Sequence, residues 1–172
     1  MNKLALNLYV LLNIFSSLFS YENICDEFLH GVYIGNSKSA EYLLKQGLVD
    51  RVVCFGKLRL KHFQKNGIVK ILKYDMSDSR NNNILMHFDS TCKFIDRRKT
   101  GVLIQCAKGH SRSASIAIAY LMKQYDMTFQ QAYGYLKKYR PTVNPNRGFV
   151  RQLKKYEEKL WKKKRFIREK QQ

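Results

Sequence analysis

The stretch Gly101–Tyr120, GVLIQCAKGHSRSASIAIAY, decides the fold. It opens on an apolar run, Val102, Leu103 and Ile104, with the length and composition of a strand buried on both faces. Small and polar residues follow from Cys106 to Arg112, and Ser113–Tyr120 then interleaves alanine and isoleucine like a helix buried on most sides. A strand, a tight loop and a helix start in that order gather backbone N–H groups and the positive end of a helix dipole around one point. Such a point suits a dianionic phosphate. Cys106 stands at the strand end beneath those groups and near Arg112, and comparable surroundings lower a thiol pKa from ~8.5 to roughly 3.5–7.5. Arg112 offers a planar fork for two phosphate oxygens, which lysine does not copy. Gly109 permits a turn that a Cβ would obstruct, and the Ser113 hydroxyl is placed to steady the sulfur as a leaving group. Cys106 is therefore a candidate nucleophile facing a phosphoryl group held by Ala107, Lys108, Gly109, His110, Ser111 and Arg112. A core cysteine beside a surface arginine is the plainer reading; the strand–loop–helix order around the pair argues against it.

Working outward, Val32–Ile34 reads as a strand ending at Gly35-Asn36, with Ser37 or Ser39 capping a helix to about Lys45 that Gly47 closes. Val49–Phe55 reads as a buried strand, Lys57–Gln64 as a basic helical piece and Ile68–Leu72 as a further strand. Strands separated by short helices predict a single α/β domain, a central, mostly parallel sheet of four to five strands flanked by helices. The loop YDMSDSRNNN then leaves a strand's carboxyl end, where ligands sit in open sheets of this kind. Asp75 and Asp78 are both candidates there to protonate a leaving oxygen, and the residues alone do not rank them. Ile84–Asp96 is amphipathic, and RRKTG turns the chain into the central strand. Thr128 is placed to cap a helix over Phe129–Tyr139, stopped by Pro141. Asn144 before Pro145 predicts a last helix with proline at its first position, burying Phe149, Leu153, Tyr156, Leu160 and Trp161.

The chain has 172 residues, 45% of them hydrophobic, which fits one domain with a real core. Lys and Arg total 32 against 13 Asp and Glu, a formal charge of +19 that points to acidic partners: phosphoproteins, anionic lipid or nucleic acid. Lys162–Arg165, KKKR, reads either as a nuclear-import or polyanion patch or as a solvated helix end. Cys25, Cys54, Cys92 and Cys106 form no CxxC pair, and the four histidines have no metal-ligand spacing. No metal and no cofactor is expected. Cys54 and Cys92 read as core thiols, or as partners that trap an oxidised Cys106. Residues 1–20 read as an apolar signal-like segment or a docking helix, 21–161 as the domain and 162–172 as a basic tail. A reactive thiolate favours a cytoplasmic or nuclear location; a secretory or membrane-associated one is the alternative if residues 1–20 act as a signal or anchor.

CAKGHSRS, Cys106–Ser113, resembles the signature loop of the cysteine-dependent protein phosphatases, with cysteine and arginine six positions apart and serine after. AYLMKQYDMTFQQAYGYLKKYRPTVNPNRGFVRQL and GVYIGNSKSA are similar to the dual-specificity branch, and the likeness covers about Cys25–Trp161. The resemblance implies hydrolysis of phosphotyrosine and phosphoserine or phosphothreonine in proteins through a phosphocysteine on Cys106. Arg112 would hold the phosphoryl group, Ser113 would ease its release, and Asp78 aligns with the family's general acid. Asn144–Asn146 matches a segment expected to support the loop. The chain departs from the pattern at Gln105, where the family usually has a histidine that helps hold the thiolate. The tail NPNRGFVRQLKKYEE is similar to a pseudophosphatase member, so a weakly active or inactive phospho-binding adaptor is the alternative. Lys108 and His110 line the loop with potential positive charge, and in related enzymes a basic loop goes with phosphoinositide or RNA 5′-phosphate substrates. Nothing in the chain indicates an oligomeric state.

Overall fold

The computed structural model describes residues 24–56 and 69–170. In chain order these form β1 (Cys25–Leu29), β2 (Val32–Gly35), α1 (Ser39–Lys45), β3 (Arg51–Phe55), β4 (Lys70–Tyr74), α2 (Leu85–Asp96), β5 (Val102–Gln105), α3 (Arg112–Gln124), α4 (Phe129–Tyr139) and α5 (Arg147–Glu169). The strands make one mixed sheet in the order β1-β2-β5-β3-β4. β2, β5, β3 and β4 run parallel, while β1 pairs with β2 antiparallel. The result is a single α/β domain.

Burial on both faces explains why the central strands are apolar without interruption. Along β3, Val53 and Phe55 face the larger core with Ile104 of β5, while Val52 and Cys54 face the smaller one with Leu103. α1 covers the smaller side with Ala40, Leu43 and Leu44. α3 is the middle helix of the larger side, and every residue from Ser113 to Met122 is buried. Each such isoleucine or leucine contributes roughly 1.5–3 kcal/mol relative to exposure. β4 is an edge strand, and its exposed Lys70 and Lys73 suit an edge that must not recruit another strand.

Several sequence expectations need correction. α1 has no serine cap: Lys38 precedes the helix, and the Ser39 hydroxyl is spent on the Ile24 carbonyl at 2.6 Å. The strand expected at Ile68–Leu72 runs Lys70–Tyr74, two residues later. α5 starts at Arg147, not at Pro145, because Asn146 is the cap and its side-chain oxygen accepts the Phe149 N–H at 3.0 Å. Trp161 is 53% exposed rather than buried, since one residue past Leu160 the helix has turned about 100° away from the core. β1 had no sequence expectation; its turn to β2 uses Gly31 at φ +69°, with the Gly31 N–H donating to the Glu27 carboxylate at 2.7 Å. Thr128, by contrast, caps α4 as expected, in a reciprocal box with Gln131.

The apolar segment 1–20 and the basic piece Lys57–Gln64 lie outside the described residues. Among the described residues, no helix is long and apolar enough to cross a membrane. α5 continues through Trp161 to Glu169 without a break.

Candidate active site

β5 delivers Cys106 to the carboxyl end of the sheet, and α3 begins six residues later at Arg112. Between them the loop closes around the sulfur. Cys106 is 3% exposed, yet its surroundings are polar: the Gly109 N–H donates to Sγ at 3.3 Å, and the Ser113 hydroxyl lies 3.2 Å from it. Burial by itself would raise the thiol pKa. Hydrogen bonds from the Ser113 hydroxyl and from the N–H groups of Ser113, Gly109 and Ser111 outweigh it and hold the thiol below its ordinary 9.0. The other cysteines go the opposite way. Burial pushes Cys25 up to about 11, Cys92 up to about 12, and Cys54 up as well.

The loop opens onto a cavity of about 450 Å³, lined by Asp78, Cys106, Lys108, His110, Arg112 and Asn146 among others. The Arg112 guanidinium is fixed on its wall, with Nη1 donating to the Met76 carbonyl at 2.8 Å and, more weakly, to that of Phe55 at 3.5 Å. Its Nε is buried with no acceptor among the described residues. Gly109 has φ +73°, and a Cβ there would lie 2.6 Å from the Gly35 carbonyl carbon and 2.9 Å from Arg140 Nη2. The position takes only glycine, as the sequence suggested.

Asp78 and Asp75 are separated by what they touch. Asp75 is an exposed residue of the loop after β4. Asp78 lies on the cavity, with Oδ1 accepting both the Ser111 hydroxyl and the Asn146 side-chain N–H at 2.7 Å. The Asn146 N–H donates in turn to Ser111 Oγ at 3.1 Å, and the Asn144 N–H to the His110 carbonyl at 2.8 Å. The Asn-Pro-Asn segment therefore braces both the loop and the aspartate.

Gln105 is 1% exposed, and its amide nitrogen donates to Cys54 Sγ at 3.4 Å, so it serves the neighbouring sulfur. Its Oε1 is buried with no donor among the described residues. Lys108 is exposed at the cavity mouth. Burial lowers the pKa of His110, and Lys108, Arg140 and Arg112 push the same way while Asp78 opposes them. Two residues that no motif singled out also bear on the loop, Arg140 at the end of α4 and its partner Asp26 in β1. The one sequence signal was an arginine at a helix end directly before Pro141.

A family model described as dual specificity phosphatase, catalytic domain, matches residues 32–159. The chain is 32% identical over 144 residues to dual specificity protein phosphatase 1 of Arabidopsis thaliana, covering 81% of this chain and 72% of that one. It is 45% identical over 92 residues to a probable dual specificity protein phosphatase of Dictyostelium discoideum, which is 52% of this chain but only 23% of that protein's length. Among solved structures, it is similar to the human tyrosine phosphatase-like serine/threonine/tyrosine-interacting protein. That match has a TM-score of 0.69 at 29% identity, covering 78% of this chain and 96% of that one.

Proposed function

The chain belongs to the dual specificity phosphatase family, and from that membership we propose that it hydrolyses phosphotyrosine and phosphoserine or phosphothreonine in proteins through a phosphocysteine. The observation that carries the reading is the pairing of a hydrogen-bonded, thiolate-favouring sulfur with the Arg112 side chain on the same cavity.

In this mechanism Cys106 Sγ attacks phosphorus and the S–P bond forms as the bond to the substrate oxygen breaks. The loop N–H groups and Arg112 hold the three equatorial oxygens, the place where fixed donors contribute most. Asp78 donates its proton to the leaving oxygen; Ser111 and Asn146 occupy Oδ1, which leaves Oδ2 for that proton. A water then attacks the phosphocysteine, gives its proton to Asp78 and releases phosphate. The Ser113 hydroxyl donates to Sγ as the sulfur leaves. Cys106→Ser is expected to abolish hydrolysis of an aryl phosphate while inorganic phosphate still binds. Unchanged turnover in that variant would remove Cys106 from the mechanism.

A second reading, a phospho-binding adaptor without turnover, is favoured by Gln105 giving its amide N–H to Cys54. Purified protein that binds a phosphopeptide but does not hydrolyse an aryl phosphate, with Gln105→His restoring a rate, is its signature. Lys108 and the +19 charge motivate a third reading, a phosphoinositide or RNA 5′-phosphatase. Phosphate release from a phosphopeptide, a phosphoinositide and a 5′-triphosphorylated RNA, compared in one panel with Cys106→Ser as control, ranks the three.

A further inference from the structure

The loop around Cys106 binds an anion only if its peptide units turn their N–H groups inward, and a bare loop has no reason to hold that arrangement. In a trans peptide the C=O and N–H of one unit point in opposite directions, and the described chain has no cis bond. Whatever grips the carbonyls from outside therefore aims the following N–H groups at the anion. Four successive carbonyls are gripped. The Ala107 oxygen accepts the Ser37 N–H at 3.4 Å, and the His110 oxygen accepts the Asn144 N–H at 2.8 Å. The two between them go to one side chain: Arg140 donates from Nε to the Gly109 oxygen at 2.9 Å and from Nη2 to the Lys108 oxygen at 3.5 Å. The unit that begins at the Lys108 carbonyl ends at the Gly109 N–H, the donor that reaches Cys106 Sγ. The unit that begins at the Gly109 carbonyl ends at the N–H of His110.

Arg140 is itself immobilised. It is 5% exposed, closes α4 as the residue after Tyr139, and ion-pairs through Nη1 with Asp26 Oδ2 of β1 at 2.5 Å. Its fork thus spans three acceptors in fixed directions, and a lysine ammonium on a flexible stem does not reproduce that geometry. The charge stands behind the loop while Arg112 stands on the cavity wall.

We propose that Arg140, held by Asp26, is a positioning residue of the phosphate site, which sets the inward aim of the Gly109 and His110 N–H groups and so the affinity of the loop for a phosphoryl group. The inference rests on the phosphatase reading only for its consequence in catalysis; the anion-binding consequence holds for a phospho-binding adaptor as well. Two acceptors on the loop and one on a strand distant in sequence make the assignment specific, because a merely structural arginine would not need to choose the two carbonyls next to the sulfur's own donor.

The test uses inorganic phosphate and a thiol alkylating agent on the full chain, with modification of the Cys106 peptide followed by mass. Phosphate protects Cys106, and the concentration for half-protection reads the loop's affinity without any turnover. Arg140→Lys is expected to raise that concentration about tenfold, and to raise KM for an aryl phosphate alongside it, while thermal unfolding moves little. Asp26→Asn, which keeps the guanidinium but loosens it, is expected to shift half-protection the same way, about threefold. Should Arg140→Lys fail to fold, Asp26→Asn decides alone. Half-protection unchanged in a folded variant overturns the proposal. Absence of aryl phosphate hydrolysis in the unmodified protein, with the protection shifts still present, would overturn the phosphatase reading and leave this one standing.

Discussion

Ser113 contributes the first of the hydrogen bonds that hold Cys106 below its ordinary thiol range against the effect of burial. The sign of its removal follows. A depressed pKa means the thiolate persists as pH falls until the folded pKa is reached, so losing a lowering bond moves that loss to higher pH. Ser113→Ala is expected to shift the midpoint of Cys106 alkylation upward towards 9.0, read from the modification rate against pH. An unmoved midpoint would assign the thiolate to the backbone donors alone. That Cys106, Arg112 and Ser113 meet at one point was legible in the sequence because a single loop and the first turn of the helix after it contain all three. Asp78 was not separable from Asp75 on residue type alone. Two hydrogen-bond donors, 33 and 68 positions away, bring Asp78 and not Asp75 to the cavity.

Three of the helices on the large face of the sheet are tied by one carboxylate. Asp89 of α2 accepts Lys123 of α3 at 2.7 Å, and Tyr156 and Lys159 of α5 at 2.8 Å each. Partial burial would raise its pKa, but those three bonds outweigh it and hold the carboxyl well below the usual range. Its contribution to stability is thus present above the unfolded pKa of about 4 and is lost as pH falls towards the folded one. Asp89→Ala is expected to cost about 1–3 kcal/mol at neutral pH, chiefly through the stranded Tyr156 hydroxyl and Lys123 ammonium. Denaturant unfolding at pH 7 and again near pH ~3 checks this, since the gap between variant and parent should narrow at the acid end. A gap that stays constant would assign the loss to packing. The sequence pattern located α2 and α4 to within a residue and the start of α3 likewise, though α3 runs four residues past Tyr120, because apolar periodicity and the Thr128 cap are local signals. It misplaced the start of α5, since which of Asn144 and Asn146 caps depends on the loop that Asn144 is already bracing.

A chain carrying +19 presents a long-range field as well as a site. Encounter with an acidic phosphopeptide should be steered by that field, so its kcat/KM is expected to fall roughly tenfold from ~20 to ~200 mM salt, with a much smaller fall for a compact aryl phosphate. Equal falls for both would place the charge outside recognition. At this scale a mostly parallel α/β sheet and the strand–loop–helix order of residues 101–120 were determined by the sequence alone. The first follows from strands that alternate with helices along the chain, and the second from a buried strand, a Cys-to-Arg loop and an apolar helix joined covalently. Tertiary structure decided the antiparallel edge at β1, which aspartate lines the cavity and the guanidinium behind the loop. The β1 edge pairs residues no more than ten positions apart, whereas the other two rest on contacts 33 positions apart for Asp78 and Ser111 and 114 apart for Asp26 and Arg140. Such contacts depend on which strand lies beside which, and local sequence preference carries no information about that.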